Sequence, residues 1–278
     1  MFMNLKLILF FCYCVSSPVL AMKKIVENVS SLVIGNIFDE IKKGNLKKVK
    51  AILKKGVSVN CLNKKGQTPL FVAIDCNNTP ITQALIEKNA DVNFKNSEGY
   101  TPLHVACRKR APIPEIIQYL IEAHADVNAR NNIEGTPLHC AVTPSSWSES
   151  VLEAQLKAIS ILIDNGAYIN CPDKYGRTPL HIAAGNASQE EYKRVVQKLL
   201  DYGADPYRTD KYGKYPFQCA KLAQTRRIIL VQAMRAKKAK KLEESSNFAT
   251  HFATRLTSLM KKNVDTFSCA ALVAMQRM

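Results

Sequence analysis

The sequence predicts an all-α solenoid of about six helix-turn-helix repeats, and three observations predict it. First, a helix-start segment recurs along the 278-residue chain: Thr68-Pro69-Leu70, Thr101-Pro102-Leu103, Thr136-Pro137-Leu138 and Thr178-Pro179-Leu180, followed by the variant Tyr215-Pro216-Phe217. Thr before Pro starts a helix because its hydroxyl can cap free backbone N–H groups, and Pro at the first helical position has no N–H to lose. Second, Asn60, Asn93, Asn128 and Asn170 each stand eight residues ahead of the next of these Thr residues. Third, Ile52, Leu85, Leu120, Leu162 and Leu199 each stand eight residues ahead of Asn60, Asn93, Asn128, Asn170 and Tyr207. Starts that keep a fixed upstream register are an internal repeat, and stacked repeats bury one continuous core.

The segments Thr101-Pro102-Leu103-His104-Val105-Ala106, Thr136-Pro137-Leu138-His139-Cys140-Ala141 and Thr178-Pro179-Leu180-His181-Ile182-Ala183, at a period of about 33 residues, resemble the ankyrin repeat. The resemblance covers residues 34–236. It implies an ankyrin-repeat solenoid with projecting β-hairpin loops and no catalytic residue in the motif. It also implies that His104, His139 and His181 tie neighbouring loops together by hydrogen bonds.

In chain order, residues 1–21 stand apart. Lys6, the apolar run Leu7 to Val15, the break Ser16-Ser17-Pro18 and the small-residue pattern Val19-Leu20-Ala21 predict a secretory signal peptide, cleaved before Met22. The run falls short of the roughly 20 apolar residues that a membrane-spanning helix needs. Residues 36–43 and 46–55 form two short helices around Gly44-Asn45, with Ile37, Ile41, Leu46, Val49, Ile52 and Leu53 inward and seven lysines outward. This is the N-terminal cap. Second helices follow over 81–88, 114–123, 152–165 and 192–202. Gly56, Gly166 and Gly203 end such helices, with Asn89 and His124 in the matching places, where a left-handed residue is usual. Glu134 stands where Gly66, Gly99, Gly176 and Gly213 stand, so that hairpin tip is expected to be built differently.

Start-to-Asn distances are 25 residues from Thr68, 27 from Thr101 and 34 from Thr136, and Thr178 to Tyr207 spans 29. Both ends of each unit are in register, so the extra residues enter between the two helices, and the longest insert carries Trp147. Residues 226–234 form the last helix of the stack. A basic extension, 237–278, follows; Phe248, Phe252, Leu256, Leu259 and Met260 recur there at helical spacing.

The chemistry-bearing residues exclude more than they suggest. No phosphate loop, dinucleotide-binding turn or Gly-x-Ser-x-Gly elbow is present, and no zinc-ligand spacing follows the signal. No catalytic, cofactor-binding or metal-binding residue is expected, and the protein is not expected to be an enzyme. Seven cysteines remain after Ala21, in repeat-specific slots. Cys61 and Cys171 are equivalent and three repeats apart, beyond the roughly 7 Å between Cα atoms that a disulfide tolerates. Exported yet with core thiols, the chain is compatible with a final home in a reducing compartment.

Charge is unevenly placed. Residues 22–66 hold 11 Lys and Arg against 3 Asp and Glu, residues 221–278 hold 12 against 3, and residues 67–220 hold 15 against 17. Basic ends permit peripheral contact with a membrane, whereas nucleic acid is not the expected partner. In ankyrin-like arrays the hairpin tips and first helices make the recognition surface. The resemblance therefore places partner binding at Lys64, Lys65, Gln67, Tyr100, Arg108, Lys109, Lys174, Tyr175, Arg177, Lys211, Tyr212 and Lys214, with Trp147 on the opposite edge. Lysine and arginine predominate in this strip, so the expected partner is a protein with an acidic surface. The signal peptide and Lys- and Asn-rich composition resemble secreted ankyrin-repeat proteins of host-associated bacteria. That implies an exported scaffold, secreted or periplasmic, or delivered to a host cell as an effector.

Overall fold

The computed structural model describes residues 37–108, 112–143, 148–186, 192–235 and 237–238. The expected signal peptide (1–21), Lys109, Trp147 and nearly all of the 237–278 extension lie outside the described residues. Among the described residues the first elements are α1 (37–42) and α2 (Leu46–Lys54). Asn45 caps α2, its side chain accepting a hydrogen bond from Lys48 N at 3.2 Å. Val49 and Ile52 are buried on one side of α2, while Lys47, Lys48, Lys50 and Lys54 are exposed. This lets the helix close the stack with a polar outer face.

Four complete units follow: α3 (Pro69–Asp75) with α4 (Thr79–Ile86), α5 (Pro102–Arg108) with α6 (Pro114–Glu122), α7 (Pro137–Ala141) with α8 (Glu149–Asp164), and α9 (Pro179–Asn186) with α10 (Lys193–Asp201). The sixth unit pairs α11 (Pro216–Cys219) with α12 (223–235). Each first helix starts at the expected proline, and Thr68, Thr136 and Tyr215 before it are extended, Thr68 at φ −78°, ψ 162°. First helices stack in order, α3, α5, α7, α9, α11, and second helices likewise, α2, α4, α6, α8, α10. Leu70, Leu103, Leu138 and Leu180 are all 0 % exposed and form a ladder through the first layer. Burying each contributes about 1.5–3 kcal/mol.

Helix α8 runs 16 residues, beginning before the expected Leu152, so part of the longest insert is helix. In the extra turn, Glu149 Oε1 accepts from Arg194 Nη1 of α10 at 2.5 Å. Gln155, 4 % exposed, donates from Nε2 to the carbonyls of Ala141 (2.6 Å) and Thr143 (3.4 Å) and to the Tyr192 hydroxyl (3.2 Å), which itself donates to the Val142 carbonyl. The last carbonyls of the short helix α7 would otherwise lack partners.

Five hairpins link the units. Among the described residues none forms a strand. Each closes instead as a tight turn, by one backbone bond from Asn63 to Gln67, Asn96 to Tyr100, Asn131 to Gly135, Asp173 to Arg177 and Asp210 to Lys214 (2.9–3.0 Å). The third tip corrects the expectation at Glu134. Its φ is +56°, in the same left-handed region as Gly99 (+77°) and Gly176 (+76°), and its N–H bonds to Asn131 O just as Gly99 N–H bonds to Asn96 O. The hairpin bonds of that tip outweigh the conformational cost, and an ion pair to Arg130 at 3.0 Å holds the side chain. A left-handed non-glycine residue costs roughly 1–2 kcal/mol, whereas an exposed pair contributes about 0–1 kcal/mol. Glu134→Gly is therefore expected to leave stability unchanged or raise it by up to about 1 kcal/mol, as read from urea melts; a loss above that size would show the pair to matter more than the backbone.

Candidate functional site

Each hairpin is held at its base by an Asn or Asp five residues before the helix-start Thr or Tyr: Asn63, Asn96, Asn131, Asp173 and Asp210. In every case Oδ1 accepts two backbone N–H groups of the tip, for example from Tyr175 (2.8 Å) and Arg177 (2.9 Å) at Asp173. Asp173 also takes Arg177 Nε and Nη2 on its Oδ2, at 3.0 and 2.8 Å. The sequence reading overlooked this position, although an Asx at constant offset was there to find.

Two ladders then lock one tip to the next. His104, His139 and His181 are nearly or fully buried. Their Nε2 atoms donate to the carbonyls of Gly135 (3.0 Å), Arg177 (3.1 Å) and Lys214 (3.0 Å), each in the following hairpin. A carbonyl only accepts, so the Nε2–H tautomer is fixed. Nδ1 then accepts the N–H of Thr101, Thr136 or Thr178 (3.1–3.2 Å) and the same residue's hydroxyl (2.8–2.9 Å). Both nitrogens are committed, which leaves no lone pair for catalysis or a metal. Burial pulls all three imidazoles below their ordinary range, His104 to about 4. The second ladder is the Asn landmark: Asn60, Asn93, Asn128 and Asn170 accept, on Oδ1, the N–H of Asp91, Asp126, Tyr168 and Asp205 in the next unit, each at 2.8 Å.

Adjacent tips also bond directly. Asn132, Lys174 and Lys211 donate their N–H to the carbonyls of Glu98, Ile133 and Tyr175 (2.9–3.1 Å). A Cβ added at Gly176 would sit 2.8 Å from Lys211 N, so glycine there admits the close approach.

These ladders carry a grooved face of three pockets. A pocket of about 800 Å³ is lined by Phe38, Leu62, Lys64, Lys65, Gln67 and Asp75, among others. The next, about 340 Å³, shares Gln67 and Asp75 with it and adds Glu98, Tyr100 and Arg108. The third, about 290 Å³, shares Tyr100 and Arg108 and extends past Ile133 and Thr143 to Arg177. Shared walls make the three continuous along the hairpins and first helices.

The structure thus brings Lys64, Lys65, Gln67, Tyr100, Arg108 and Arg177 into one groove. Lys174, Tyr175, Lys211, Tyr212 and Lys214 stand exposed on the last two tips, outside these three linings, with Tyr212 73 % exposed. Two arginines are pre-set by stacking: Arg108 over the Tyr100 ring at 5.1 Å and Arg177 over Tyr175 at 4.8 Å. Charge along the groove is not uniform. Asp75 lines the first pocket beside Lys64 and Lys65, and Asp75 and Glu98 line the second beside Arg108.

Burial pushes the Cys140 thiol up to about 12 and the Cys107 thiol well above its ordinary value, so both stay neutral and behave as small core hydrophobes. Among the described residues no three His, Cys, Asp or Glu are grouped to hold a metal ion, and no helix is long and apolar enough to cross a membrane.

Comparison with known proteins agrees with this architecture. The family model described as ankyrin repeats (3 copies) matches residues 38–131 and 112–210. The mouse (Mus musculus) 2-5A-dependent ribonuclease is 39 % identical over 74 residues, 26 % of this chain and 10 % of that protein. The human oxysterol-binding protein-related protein 1 is 36 % identical over 75 residues, 27 % of this chain and 8 % of that protein. The human protein phosphatase 1 regulatory subunit 27 is 35 % identical over 68 residues, 24 % and 42 % of the two chains. The chain therefore spans about a tenth of the length of the first of these relatives, and enzyme names among them describe proteins shared only in a short segment. Ankyrin repeats are typically non-catalytic interaction modules, so the array is a scaffold for protein–protein contact. On the tip-to-tip ladders, the stacked helix pairs and a family match that spans more than half its length, the chain belongs to the ankyrin-repeat family.

Proposed function

We propose that the chain is an exported, non-catalytic scaffold that binds an acidic protein partner along the groove, with a host-directed effector role as the fullest form of this reading. The observation that carries it is the continuous groove, flanked by two pre-stacked Tyr–Arg pairs and by exposed lysines on successive tips. Rigid aromatics and arginines supply affinity in such surfaces, whereas exposed lysines mainly speed encounter. Export rests on residues 1–21, and N-terminal sequencing of protein recovered outside the producing cytoplasm should begin at Met22. An intact Met1 on membrane-bound protein would remove that part.

Proximity labelling with the processed chain identifies the partner. Against it, Tyr100→Ala with Tyr175→Ala should weaken binding by about 2 kcal/mol or more. Lys198→Ala should change little; Lys198 lies on α10 against Tyr202, away from the groove. Equal effects would move the binding face elsewhere, for example to the insert whose sequence contains Trp147. Detecting the chain inside host cells rather than in the periplasm separates an effector from a periplasmic scaffold or inhibitor.

A second reading has an observation of its own. Lys42, Lys43, Lys47, Lys48, Lys50, Lys54 and Lys55 are all exposed on the N-terminal cap, a surface suited to anionic lipid. Salt-sensitive binding to vesicles containing phosphatidylserine, lost when these lysines become glutamines, would support it.

A further inference from the structure

We propose that the third pocket, between Arg108 and Arg177, is a specificity pocket for one carboxylate side chain of an extended segment lying in the groove. The inference rests on the scaffold reading above and adds what the partner must present, and where.

Two guanidinium groups line one pocket of about 290 Å³, and neither is loose. Tyr100 is half-buried and packs edge-on against the buried His104 ring (5.6 Å, 88°), and Arg108 lies over its free face. Arg177 is gripped by Asp173 through Nε and Nη2, so Nη1 takes no part in that grip. Arginines held before binding lose little freedom on binding, so their bonds to a carboxylate count more fully. The wall between them is apolar: Ile133, 41 % exposed at its tip, and Ile182 suit the methylenes of an acidic side chain.

Charge decides between a carboxylate and a phosphate. Arg108 and Arg177 contribute two positive charges and Asp173 one negative, so the lining sums to a single positive charge. One carboxylate neutralises it. A phosphomonoester, at about −1.5 to −2 near neutral pH, would leave excess negative charge beside Asp173. The segment read by this face therefore has an acidic residue at one fixed position.

Random peptides displayed on phage and selected on the full chain test this. Enriched peptides should share one Asp or Glu position. Replacing that residue by its amide in a synthetic peptide should weaken binding about tenfold, the loss expected for a half-exposed charge pair. Selection on Arg108→Gln should lose the acidic preference at that position and keep the rest of the motif. Arg108 is exposed, so the variant should melt like the parent chain, and its melting curve is the folding control. An enriched motif without an acidic position, or one unchanged by Arg108→Gln, overturns the pocket and leaves the scaffold reading standing. Tighter binding of a phosphoserine peptide than of its Glu counterpart overturns the carboxylate assignment. No enrichment of any motif overturns both readings.

Discussion

Leu180→Ala is expected to destabilise the protein by about 2–5 kcal/mol, the range for a fully buried leucine whose cavity cannot collapse. Leu180 is 0 % exposed on α9, which packs against α7 before it, α11 after it and α10 beside it. In a stack each unit touches only its neighbours, so a cavity in the fifth unit weakens the interfaces on both its sides. Whole domains are stable by only about 5–15 kcal/mol, and the C-terminal units would detach first, because α11 is just four residues long. Urea unfolding of the variant should show a lower midpoint and a broadened or split transition. Met234→Ala, at a site 68 % exposed, should stay within about 0.5 kcal/mol of the parent. Matching losses at the two sites would mean that the buried leucine ladder is not what joins the units.

That ladder was legible before any coordinates. Thr-Pro fixes where a first helix begins, and a leucine one residue later must face the same side in every copy, so position alone predicted the burial of Leu70, Leu103, Leu138 and Leu180. Local rules were less secure wherever tertiary bonds compete with them. Glu134 breaks the glycine pattern, yet its tip has the common geometry because Asn131 and the neighbouring tip hold it there. The extra turn of α8 was hidden for the same reason: the Arg194–Glu149 ion pair that uses it joins residues 45 apart. Of the candidate surface, the sequence register identified which residues sit on tips, but not which share a pocket. Lys211, Tyr212 and Lys214 lie in the same register as Lys64, Lys65 and Gln67 and still stand outside the groove.

Acidification from pH 7 to pH 4 should remove about 3 kcal/mol of stability through His104 alone, with His139 and His181 acting in the same direction. All three imidazoles are depressed in the folded state by burial, His104 to about 4 against an ordinary 6.5. A depressed histidine is neutral when folded, so above about pH 6.5 neither state binds a proton and the imidazole costs the fold nothing. Below that the unfolded chain takes up protons that the fold cannot, and stability falls as pH drops towards the folded value. Each unit of pKa difference corresponds to about 1.4 kcal/mol, which gives the size. Structure explains the resistance to protonation: a proton on Nδ1 would meet the Thr101 N–H and force its hydroxyl to turn away. His104→Gln isolates the effect. Glutamine already serves this position in the sixth unit, where Gln218 Oε1 accepts the Tyr215 N–H at 2.8 Å. The variant should be less stable at pH 7, having lost the bond to Gly135, yet its stability should decline less steeply between pH 6.5 and pH 4 than that of the parent chain. Parallel urea-melt series across that interval give both slopes. Identical slopes would mean that groups other than the buried imidazole set the acid sensitivity.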